Sequence, residues 1–244
     1  MGCRAAARRR LSRLSRLGRW RRLLVPTLTT LPLFALAVGL GLWQVHRLTW
    51  KQGLLAQIDL AERSAGVPLP AHPHPFEKVF LQAEPIPGAV GRYAADVRDT
   101  PQGELLGAQI LFAVRPAQGG PPLLVMAGWA PDTIGTAIPP PHGTLQGYVR
   151  PGARPGFFSA NDDMAGRRFF TLDPAVIGPA LGVSALRPYV LVLLGRDTPG
   201  EYPQPATALP RPPNDHLQYA ITWFSLGAVL LVIFGVYVRR TLTA

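Results

Sequence analysis

Asn214-Asp215-His216-Leu217-Gln218-Tyr219 runs directly into residues 220–238, nineteen residues without a charge. That length matches the ~20 residues a helix needs to cross a hydrocarbon core. It also sets an imidazole where water gives way to lipid. Ionisable side chains are costly there and point to function, with metal or haem ligation and proton handling as the uses open to a histidine.

Residues 24–43 form a second uncharged run, of twenty residues. Pro26 and Pro32 are expected in its first turns, where a missing amide proton costs least. Two spans in 244 residues leave room for one sizeable domain between them. The expected fold is a membrane protein with two transmembrane helices flanking one α+β, mainly antiparallel β, extracytoplasmic domain. Its parts are a basic cytoplasmic tail (residues 1–23), transmembrane helices at 24–43 and 220–238, the extracytoplasmic domain (44–219) and a second cytoplasmic tail (239–244).

Orientation follows from the arginines, because positive residues flanking spans stay on the cytoplasmic or matrix side. Arg4, Arg8, Arg9, Arg10, Arg13, Arg16, Arg19, Arg21 and Arg22 precede the first run, and Arg239 and Arg240 follow the second. Both termini are therefore expected inside. Residues 44–219 hold 14 Lys and Arg against all 14 acidic residues, so the formal charge of +11 belongs to the tails. It indicates topology and contact with anionic membrane lipid, and removes nucleic acid as a partner. Leu11, Leu14 and Leu17 among arginines also resemble a mitochondrial presequence. Such a peptide would leave almost nothing ahead of the span. A signal-anchor in a bacterial inner membrane is the expectation, with the mitochondrial inner membrane second.

The lone cysteine, Cys3, is expected in the cytoplasm, so the outer domain can form no disulfide, covalent haem attachment or thiolate metal site. Helical spacing continues from Trp43 through Arg47, Trp50 and Leu54 to about Arg63. After the break at residues 68–75, short β-branched and aromatic runs separated by Pro and Gly suggest a sheet or small barrel: 76–84, 92–98, 105–115, 123–129, 144–150, 167–172 and 189–196. A short helix is expected at 174–181, with Asp173 as its N-cap and Gly182 closing it. No phosphate loop, Gly-x-Ser-x-Gly or His-Glu-x-x-His is present, and Asp162-Asp163 sit in a turn-like segment, so no enzyme is expected.

Leu40-Gly41-Leu42-Trp43-Gln44-Val45-His46-Arg47-Leu48-Thr49-Trp50-Lys51 and Asn214 to Phe224 resemble the two membrane-edge signatures of the Surfeit locus protein 1 (Surf/Shy) family of cytochrome c oxidase biogenesis factors. Leu124-Val125-Met126-Ala127-Gly128-Trp129-Ala130-Pro131 and Gly147-Tyr148-Val149-Arg150 resemble its inner motifs, with Ala127 standing where the family usually has arginine. The resemblance implies a membrane-anchored assembly factor for a haem-copper oxidase. It also implies transient binding of haem a, with His216 as the iron ligand and the oxidase catalytic subunit as partner. The haem a synthesis machinery would be a further partner.

The residues suit that role. A neutral imidazole can ligate haem iron, Tyr219, Ala220, Trp223 and Gly227 follow His216 on one helical face, and Trp43 adds an aromatic ring from the first span. Arg47 and Lys51, one turn apart, could anchor the propionates. His46 could face His216. The aromatics also suit an interfacial belt and the cations snorkelling anchors, and Asn214-Asp215 reads as a helix N-cap. Two other readings stay open: a cofactor-free structural chaperone of the catalytic subunit, and copper delivery through His72 and His74 with Met126 and Met164.

Overall fold

A computed structural model describes residues 3–100, 103–135, 138–198 and 200–243, with side chains described from residue 23 onward. The side chains of Cys3 and of the nine N-terminal arginines thus lie outside the described residues. The chain divides into two compact units, one of Met1–Ala56 with Pro212–Ala244 and one of Gln57–Arg211.

The first unit is helical. Helix α1 (Cys3–Arg63) runs without interruption through Pro26 and Pro32, which lie inside the helix and not at its start. Each proline deprives a carbonyl one turn back of its usual donor. Threonine hydroxyls are at work beside Pro26: Thr27 Oγ1 donates to the Leu23 carbonyl at 2.7 Å, and Thr29 Oγ1 to the Pro26 carbonyl at 3.0 Å. Helix α3 (His216–Thr243) opens on the histidine itself. Both helices are long and apolar enough to cross a membrane. Leu24, Leu28, Leu31, Val232 and Ile233 point outward and exposed, the reverse of a water-soluble core helix.

The second unit is built on a seven-stranded sheet of β1 (Val67–Pro68), β2 (Lys78–Thr100), β3 (Gly103–Pro116), β4 (Leu123–Pro131), β5 (Gly143–Pro151), β6 (Arg168–Phe169) and β7 (Tyr189–Leu193). The sheet is mixed, which corrects the mainly antiparallel expectation. β2–β3, β3–β4, β2–β5 and β5–β7 are antiparallel, whereas β1–β2, β2–β6 and β4–β7 are parallel. The parallel β4–β7 pair arises because the segment between them, carrying β5, β6 and α2 (Pro174–Ala180), returns the chain to the same end of the sheet.

Two of the expected strands, 76–84 and 92–98, are one. β2 carries through Pro85, Pro87, Gly88 and Gly91 by shifting register between Pro85 and Val90 and again between Tyr93 and Asp96. Bulges of this kind bend a strand and let one ribbon serve two neighbours. Residues 78–83 pair with β5 and residues 83–100 with β3, so β2–β3–β4–β7–β5 closes into a small barrel. Val79, Leu81, Ile110, Phe112, Val125, Leu145, Val149 and Leu191 alternate inward to fill it. Ala127 belongs to this core, so a methyl sits where arginine would be a buried charge.

The short helix α2 forms as its sequence indicates. Asp173 Oδ1 accepts the Ala175 amide at 3.0 Å, Pro174 takes the first turn, and Gly182 follows with φ +76°.

Candidate functional site

In the first unit α1 and α3 run antiparallel along a seam of small residues. A Cβ at Gly227 would sit 3.5 Å from the Phe34 ring and 3.7 Å from Ala37. A Cβ at Gly41 would sit 2.6 Å from the Phe224 ring, so glycine here lets that ring approach α1 closely. Ala37 and Ala220 are buried in the same seam. Small residues allow close backbone approach where lipid supplies no hydrophobic drive for association.

At the mouth of this seam, His216 Nδ1 lies 2.7 Å from Gln44 Oε1. Gln44 is 9% exposed and His216 is half-buried. An amide oxygen can only accept, so the imidazole donates from Nδ1 and its proton is held there. In the neutral ring the lone pair then stands on Nε2. This is the tautomer that ligates metal through Nε2, with a second group fixing the ring through its other nitrogen. The residues present therefore fit an axial ligand site for haem iron.

The sequence before α3 departs from a simple cap. The Tyr219 amide reaches the Asp215 carbonyl at 3.3 Å, but Asn214 Oδ1 is buried without a hydrogen-bond partner. A buried amide oxygen without a donor carries a desolvation cost of about 1–3 kcal/mol.

The other expected site residues are distributed around this point. Along α1, Arg47 and Lys51 follow Gln44 by three and seven residues, so Lys51 lies almost directly above Gln44 and Arg47 about 60° aside. Arg47 is exposed, its guanidinium 4.4 Å from the centroid of the Trp50 ring. Lys51 is half-buried. Trp43 and Tyr219 are exposed, Trp223 is half-buried, and Ala220 and Gly227 of the face expected below His216 are buried. His46 is exposed, and the partner of His216 is Gln44.

Gln44 is the residue that reading the sequence passed over. It shares a helical stripe with Ala37 and Gly41, and an amide on the small-residue face of an apolar helix must find a partner. That spacing was the available signal.

In the second unit His72 and His74 are exposed in the 68–75 segment. His72 borders a hollow with Arg187 and Tyr189, whereas Met126 lines a separate groove with Tyr93, Arg98, Tyr148 and Arg150, and Met164 is exposed. The copper set is thus not gathered into one place. Among the described residues no group of three or more His, Cys, Asp or Glu could hold a metal ion. Burial pushes the Tyr148 phenol above its ordinary value, and the Arg150 charge works against that rise.

The SURF1 family model matches residues 31–228, a stretch that takes in part of each long helix, the barrel and the His216–Gln44 pair. This chain belongs to the SURF1 family. Among relatives, a SURF1-like protein of Monosiga brevicollis is 28% identical over 245 residues, covering 91% of this chain and 87% of its own length. SURF1-like proteins of Rickettsia conorii and Rickettsia bellii are 25% and 27% identical, covering 85% and 87% of this chain and 88% and 90% of theirs. The similarity thus covers most of each chain, and the SURF1 assignment rests on more than one motif.

Proposed function

We propose that this protein is a membrane-anchored, non-enzymatic assembly factor for a haem-copper oxidase that binds haem a at the mouth of its helix pair and hands it to the catalytic subunit. The SURF1 family is known for a role in cytochrome oxidase assembly, and membership supplies the partner class. The hydrogen bond between His216 Nδ1 and Gln44 is the observation that carries the haem reading, because in the neutral ring it leaves the Nε2 lone pair free to act as ligand. Haem a, when bound, supplies an iron that accepts a neutral imidazole as axial ligand.

Around that ligand, Arg47 and Lys51 would hold the propionates by charge-assisted hydrogen bonds. Trp43, Tyr219 and Trp223 give the macrocycle an aromatic surface at the lipid boundary. Both helices cross the bacterial inner membrane, with the arginine-rich ends in the cytoplasm and the barrel outside. The outward apolar faces of both helices support insertion.

The test is the absorption spectrum of the full chain purified from cells that make haem a, beside His216→Ala. The wild type should show a haem Soret band that the variant loses. A colourless wild type, or an unchanged band in His216→Ala, overturns the ligand assignment and leaves the cofactor-free chaperone, which the small-residue seam would serve equally well. Stoichiometric copper lost on changing His72 and His74 would instead support copper delivery.

A further inference from the structure

We infer that Gln44 is the positioning residue of this site: from the opposite helix it selects the His216 tautomer and ring orientation in which Nε2 faces outward as ligand. The inference rests on the haem reading above and deepens it. Its parts are independent of haem, because the hydrogen bond joins two of the chain's own side chains.

Neutral imidazole has two tautomers, and in water the proton favours Nε2. That form presents no lone pair from Nε2 and cannot ligate through it. Gln44 Oε1 at 2.7 Å reverses the preference, since an acceptor on Nδ1 is satisfied only when Nδ1 carries the proton. Burial of Gln44 strengthens the constraint. Its amide oxygen would lose its hydrogen bond if the ring turned away, and few other donors reach a 9% exposed side chain on an apolar helix.

The bond also joins the start of α3 to α1, 172 residues apart in sequence. Gly41, one turn below Gln44, holds α3 close by admitting the Phe224 ring. The ligand geometry is therefore set by helix–helix packing and not by α3 alone. A change in the packing of α1 against α3 would loosen the histidine's grip without touching the histidine.

The experiment is ¹⁵N NMR of the His216 side chain in the full-length, haem-free protein in lipid nanodiscs, at a pH where imidazole is neutral. Wild type, Gln44→Leu and Gln44→Glu are compared, each then titrated with haem a. The wild type should show one tautomer with the proton on Nδ1. Gln44→Leu should lose that preference and bind haem a about 10–100-fold more weakly, the usual effect of removing a group that orients a metal-bound histidine. Gln44→Glu retains an acceptor and should restore both, which separates orientation from a general packing defect.

A wild-type signal with the proton on Nε2, or one that Gln44→Leu leaves unmoved, overturns the inference whether or not haem binds. A tautomer shift in Gln44→Leu with unchanged haem affinity overturns the positioning role. A correct wild-type tautomer with no haem binding overturns the haem reading while the hydrogen bond itself stands.

Discussion

Tyr148 shows how one side chain can be read in both directions. It lies on the outer side of β5, buried against the ring of Phe76 at a centroid distance of 6.5 Å, and burial lifts its pKa above the ordinary 10.0. The folded protein thus holds the phenolic proton more tightly than the unfolded chain does. Stability from this group is whole below pH 10.0 and is lost as pH rises through the folded value. Thermal melts between roughly pH 9 and pH 12 should therefore fall more steeply for the wild type than for Tyr148→Phe. Equal slopes would mean that burial does not act on the phenol. Such a shift is invisible in sequence, because it depends on what Phe76 and Arg150 do in three dimensions. His216 was legible for the opposite reason: a histidine at the edge of an apolar run announces itself, whereas its partner Gln44 needed the register of two helices.

Among the elements, the strands show where local signals suffice and where they fail. β4 is buried along its whole length from Leu123 to Pro131, and its unbroken apolar run announced this. β2 was harder to see, since the prolines and glycines that ordinarily end a strand here mark bulges within one. Its pairing with β5 and β3 is a long-range choice that no local pattern encodes. Gly128 in β4 has φ +142°, and a Cβ there would run into the Gln204 carbonyl. Trp129 exchanges two hydrogen bonds of 2.8 Å with Gln204 at the same place. Gly128→Ala should therefore destabilise the barrel by about 2–3 kcal/mol, combining backbone strain with loss of these bonds. A denaturant midpoint within error of the wild type would show that the 204–206 segment can yield.

For the whole molecule, the arginine count predicts the side on which the barrel stands, and the structure supplies the place to test it. Phe157 is 96% exposed in the second unit, and Cys3 is the natural cysteine at the other end of the argument. In intact spheroplasts, a membrane-impermeant maleimide should label Phe157→Cys and leave Cys3 unlabelled until the membrane is opened. Labelling of Cys3 first would invert the topology. The two apolar helices flanking one sheet domain were readable from sequence, because the length of an uncharged run needed to cross a bilayer is a coarse constraint. The mixed strand order was not readable, because it depends on which end of the sheet each connection returns to.

Closure of the barrel bears on how any partner must be recognised. Each of its five strands has a neighbour on both sides, and the strands that add to β2 from outside, β1 and β6, are two residues long. Among the described residues there is thus no extended ladder of free amides and carbonyls on which a visiting strand could zip. Recognition by the second unit falls to side chains and loops, so selectivity there should drift with surface substitutions while the hydrogen-bonded frame beneath them stays fixed.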